Sequence, residues 1–217
     1  MPRNLSAENA AALAARRLVP RDFLWIIARD RSDGGPQSTG FWSGVGDVTG
    51  QITHPDTGLT VNRTWYGTGT LISIGAIPMV SNVTVQTVPI VMNQIDDLVQ
   101  QAVRLYDMKQ ARVEIYRGLL DPGTRALVAP AFCRFVGFVD TVEIKTPSEN
   151  EAGSVTLAGS SHTQELMRSN PDTRSDTSQR LRSATDNFFQ DAATVGEWEF
   201  FWGRKNGKVS SKKAKSK

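Results

Sequence analysis

The sequence predicts a mainly β protein with α additions: a β-barrel or sandwich core, one inserted helix and helical termini. Three observations carry this. Residues 94–105 place Ile95, Leu98, Val99, Ala102 and Leu105 at helical spacing, with Asp96, Asp97, Gln100, Gln101 and Arg104 on the other side. The period then shortens. Residues 111–118 alternate, Val113 and Ile115 facing one way and Arg112, Glu114 and Tyr116 the other, as in a half-buried strand. Beyond the turn residues Asp121, Pro122, Gly123 and Thr124, a long return strand at 128–143 is apolar on both faces and is expected to be buried on both sides.

The other elements follow in order. Ser6 is an N-cap for an Ala-rich helix over 7–17, which buries little area and is expected to be an arm that docks on a neighbouring surface. Residues 23–28 form a strand apolar on both faces. Asp33, Gly34, Gly35 and Pro36 turn it into a second strand at 39–43. Gly44, Gly46 and Gly50 break the chain, and 54–58 form another turn. Strands at 59–66 and 70–74 flank Gly67-Thr68-Gly69, which lacks the context of a dinucleotide loop and reads as a hairpin bend. After a polar loop at 146–153, a closing strand spans 154–159. Residues 160–185 are poor in large apolar side chains and read as an extended linker with a helical turn near 163–167. A capped helix is expected at 186–193 and an aromatic alternation at 197–202. The organisation is therefore an N-terminal helical arm (1–20), a β-rich core (21–160), a linker with a C-terminal helix and aromatic arm (161–203) and a basic tail (204–217).

Of the 217 residues, 39% are hydrophobic and 22% charged, which suits one globular domain with arms. The formal net charge of +3 conceals a division. Residues 204–217 hold seven basic residues and no acidic one, which leaves the rest of the chain at about −4. The basicity belongs to a tail and not to a folded basic face, which argues against a dedicated DNA-binding domain. The tail reads either as a solvated end or as an anchor to an acidic surface or nucleic acid. No apolar run approaches the ~18–20 residues of a membrane span. The first residues lack a signal-peptide pattern, so synthesis in the cytoplasm is expected.

Candidate chemistry is sparse. The single Cys133 excludes an intramolecular disulfide and a Cys metal cluster, and reads as a core thiol. His54 sits in a turn. His162 has hydroxyls and a carboxylate nearby in sequence, but spacing alone does not bring a nucleophile, base and orienting group together. Asp96 and Asp97 lie near a helix start, where carboxylates favour the dipole. No catalytic residue, metal or cofactor is assigned. The candidate contact residues are Phe188, Phe189, Trp198, Phe200 and Trp202, with Lys205, Lys212 and Lys213 of the tail. The aromatic segment either folds back on its own body or packs on a neighbouring subunit.

Four segments carry a family resemblance: residues 21–30 (RDFLWIIARD), 40–43 (GFWS), 103–107 (VRLYD) and 135–140 (FVGFVD). The segment 174–180, followed by Phe188-Phe189 and the run Trp198 to Gly203, belongs to the same pattern. In these the chain resembles the tail-tip (baseplate) hub proteins of long-tailed, siphovirus-type phages and gene transfer agents. The resemblance implies a tail-tube-like β core with arms and a homo-oligomeric ring, trimeric or hexameric. Such a ring joins the tail tube and distal tail protein to distal receptor-binding or fibre components of the virion. It also implies a structural, non-enzymatic role, transient contact with passing DNA and no stable membrane insertion. Some relatives carry Cys ligands for an iron–sulfur cluster; with Cys133 alone this chain cannot. The distal tail protein, a neighbouring ring with a similar core, is the alternative, followed by a tail-associated cell-wall hydrolase module.

Overall fold

Two long strands, β1 (Val19–Asp30) and β7 (Tyr106–Leu120), pair antiparallel and form the spine of the computed structural model. The structure describes residues 5–67, 71–78, 80, 82–94, 97–149, 153–169, 172–199 and 210–211. The chain divides into two units, Met1–Met167 and Arg168–Lys217.

In the first unit the elements run α1 (Ala7–Ala15), β1, β2 (Pro36–Trp42), β3 (Val48–Thr53), β4 (Thr60–Trp65), β5 (Leu71–Ile74), β6 (Thr87–Asn93), α2 (Asp97–Leu105), β7, β8 (Phe132–Lys145), β9 (Ser154–Ser161) and α3 (Thr163–Leu166). Seven strands make one antiparallel sheet in the order β2-β1-β7-β8-β9-β6-β5. Strands β3 and β4 form a separate hairpin. The expected barrel or sandwich core is thus a mainly β fold whose sheet curls into a half-barrel. Irregularities in the register at Ile27/Arg29, Ile115/Tyr116 and Val139/Thr141 accompany that curl.

Each face of the spine packs its own apolar cluster. Leu24, Ile26 and Ala28 of β1 join Val113 and Ile115 of β7 and Val99, Ala102 and Val103 of α2. On the opposite face Phe23 and Tyr116 pack with Trp42, Ile52, Trp65 and Leu120. Helix α2 thus serves one side and the β3–β4 hairpin the other.

Several expectations change. Strand β7 is not half-buried: Glu114 and Tyr116, placed on its polar side, are 0% exposed, because the hairpin covers that side. Strand β8 is not buried on both sides. Phe135 and Val139 are buried, whereas residues 140–145 are mostly exposed. The bulge around Arg134 sends Cys133 to the hairpin side and Phe135 to the helix side. In α2 the buried set includes Val103, while Leu105 is exposed, since β7 starts at the next residue. Gly50 does not break the chain. It lies inside β3, where an added Cβ would come within 2.8 Å of the Leu127 side chain.

Helix α1 forms as expected, with the Ser6 hydroxyl accepting from the Asn9 N–H at 3.3 Å and Arg16 closing it in the left-handed region (φ 53°). Asn9 is its only buried residue, and the Asn9 amide donates to the Pro130 carbonyl at 3.3 Å.

The second unit contains α4 (Asp176–Arg182), followed by a 3-10 turn at Val195–Glu197, β10 (Trp198–Glu199) and β11 (Ser210–Ser211). Helix α4 falls inside the span read as a linker. Ser175 caps it, and Arg180 pairs with Asp176 at 2.8 Å one turn away. The helix expected at 186–193 is absent. There the chain makes successive i to i−3 turns, and the Asp186 carboxylate accepts from the Phe188 N–H, which starts a turn in place of a helix cap.

Candidate functional site

The densest polar arrangement lies between the hairpin and the sheet. Arg63 comes from β4, Asp56 from the turn before it, Arg112, Glu114 and Tyr116 from β7, and Trp25 from β1. The outward alternation of β7 aims Arg112, Glu114 and Tyr116 at the hairpin. Arg63 Nη1 donates to Glu114 Oε2 at 2.7 Å, and the Tyr116 hydroxyl donates to the same oxygen at 2.6 Å. Arg112 Nε donates to Glu114 Oε1 at 2.8 Å, and its Nη2 reaches Asp56 at 2.6 Å. The Arg63 guanidinium also lies 4.4 Å from the centre of the Trp25 ring.

Burial pushes the Glu114 carboxyl upward, but the Tyr116 hydroxyl and the two guanidinium groups outweigh it and hold the carboxyl below its ordinary value. Burial, with the Glu114 carboxylate, pushes the Tyr116 phenol above its ordinary range. Both oxygens of Glu114 are therefore occupied and its charge is compensated. Such a carboxylate is a poor proton acceptor for a substrate; what the arrangement does is tie hairpin to sheet. Among the described residues, no group of three or more His, Cys, Asp or Glu is placed to hold a metal ion.

A groove of about 690 Å³ opens beside this region. Phe23, Trp42, Val48, Leu120 and Leu127 give it an apolar lining; Glu8 of α1 and Pro130 stand on its wall.

The residues singled out from sequence fall as follows. Phe188 is 79% exposed and meets Phe189 edge-on, with ring centres 4.9 Å apart. Trp198 is in β10, paired through its backbone with Ser211. Phe200, Trp202, Lys205, Lys212 and Lys213 lie outside the described residues, as do Asp96, Thr68 and Gly69. His162 precedes α3 and packs edge-on against Phe138 at 4.7 Å. His54 Nδ1 accepts from the Asp56 N–H at 3.3 Å. Cys133 is free and half-buried, and burial pushes its thiol up to about 11. The Glu114 cluster was missed because alternation assigns polar residues to solvent. The available signal was the concentration of opposite charges at 112 and 114 beside Tyr116.

No family model matches the chain. No curated protein matches it either. Among solved structures, a chain of the "Virion of native gene transfer agent (GTA) particle" is similar at 14% identity and a TM-score of 0.49. That likeness covers 79% of this chain and 50% of the other, so this chain spans about half the length of the one it resembles. Among the described residues, no helix is long and apolar enough to cross a membrane.

Proposed function

We propose that this chain is a non-enzymatic structural subunit of a phage-type tail tip, forming a hub ring that joins the tail tube to distal receptor-binding or fibre components. The observation that carries the reading is where the four resembling segments fall. Residues 21–30 are in β1, 40–42 end β2, 103–107 span the junction of α2 and β7, and 135–140 are in β8. Strands β2, β1, β7 and β8 are consecutive neighbours in the sheet. These four of the resembling segments thus lie on adjacent strands of one sheet, while 174–180 and the aromatic residues belong to the second unit. The mechanism is assembly: a rigid sheet presents fixed surfaces to neighbouring subunits, and the C-terminal aromatic residues reach the next copy.

The test is immunogold electron microscopy of particles from a host making this protein. Label at the tail tip supports the reading, and the subunit count then separates the hub from the distal tail ring. Particles without label, with the epitope shown to be accessible, overturn it. Removing residues 186–217 is expected to abolish ring formation; normal rings from that variant would discard the exchange of C-terminal segments.

A further inference from the structure

We infer that α1 is a strap fastened at the rim of the apolar groove, one that releases while the sheet stays folded. The inference is independent of the ring assignment. Four observations carry it. First, α1 buries a single side chain, and that side chain is polar: Asn9 is 2% exposed, whereas Leu13, the largest apolar residue of the helix, is 43% exposed. Second, the hold is incomplete. The Asn9 amide donates to Pro130, but its buried carbonyl oxygen has no partner. The fastening is therefore this one donated hydrogen bond, weaker than that of a fully paired amide. Third, α1 contributes Glu8 alone to the wall of the groove lined by Phe23, Trp42, Leu120 and Leu127, so no apolar side chain of the helix packs into it. Fourth, the connection to β1 is short and starts at Arg16, a non-glycine residue at φ 53°. That conformation is the helix's own cap, and it is given up when the released helix unravels.

The sheet does not depend on the strap. Strand β1 is paired on both sides, with β2 and β7, and its apolar residues belong to clusters that contain no residue of α1. A nine-residue helix is marginal in water, so released α1 unravels and its amides exchange.

The test is hydrogen–deuterium exchange of the full chain, read by mass spectrometry on peptides covering α1 and β1. The α1 amides are expected to exchange at least ~100-fold faster than those of β1. Asn9→Ala is expected to speed α1 by a further factor of about ten and leave both β1 and the melting temperature unchanged. Equal protection of α1 and β1 overturns the inference. So does an Asn9→Ala variant with unaltered α1 exchange, because Asn9 would then not be the fastening, or one whose melting temperature falls, because α1 would then be part of the cooperative core.

Discussion

Arg63 of β4 and Glu114 of β7, 51 residues apart in sequence, meet at 2.7 Å with the carboxylate side chain 1% exposed. A buried pair of this kind adds little net stability, because desolvation offsets most of its attraction, but leaving one partner alone is costly. Arg63→Ala leaves Glu114 bonded to Arg112 and Tyr116, so it is expected to destabilise the protein by about 1–3 kcal/mol in urea unfolding. Glu114→Leu strands Arg63 and the buried Tyr116 hydroxyl together and is expected to cost more than Arg63→Ala. A Glu114→Leu variant at least as stable as Arg63→Ala would show that the carboxylate is not the centre of the cluster.

The same carboxylate sets an acid limit. Its folded pKa lies below its unfolded value, so its contribution is present in full above the unfolded pKa of about 4.3 and is lost as pH falls through the folded one. The stability gap between wild type and Glu114→Gln is expected to hold steady from pH 7 to about 5 and to narrow below about 4. A gap unchanged down to pH 3 would contradict this.

Gly137 tests the close approach of β8 and β9. A Cβ there would lie 2.1 Å from the backbone carbonyl of Ser160, and a main-chain atom cannot swing aside as a side chain can. Gly137→Ala is expected to cost about 1–3 kcal/mol or more and to raise amide exchange along β9 selectively. An alanine variant as stable as wild type would mean that the two strands separate freely.

Cys133 gives a chemical readout of the hairpin side. With burial pushing its thiol up to about 11, the thiolate at pH 8 is on the order of 100-fold scarcer than in the unfolded chain. Iodoacetamide is expected to modify the native protein at least ~100-fold more slowly than protein unfolded in urea. Because this folded pKa is raised, its contribution to stability is full below the unfolded value and is lost as pH rises toward 11. Equal rates in the two states would place Cys133 in water.

Most of the sheet was legible because period-2 alternation and glycine turns are local signals. Phe23 to Ala28, the turn at Gly34 and the pairing segment of β9 could be read directly. Strand β3 was missed at Gly50, whose small size answers to Leu127, a residue 77 positions later that no local pattern reports. Glu114 was assigned to solvent for a related reason: alternation reports which face a side chain joins, not whether that face has a second cover. Helix α4 depended on a cap at Ser175 and an ion pair one turn apart, both too weak to stand out in a polar stretch.

The pairing of β1 with β7 has a consequence for synthesis. Asp22 and Arg117, hydrogen-bonded across these strands, are 95 residues apart. At ~5–20 residues per second, a ribosome needs roughly 5–20 s to deliver the second after the first. During that interval β1 has only β2 beside it, and the apolar residues on both of its faces have neither β7 nor α2 to cover them. The nascent chain is then at its most adhesive, and the chance of misassociation is set by elongation speed and by holding chaperones more than by the stability of the finished fold.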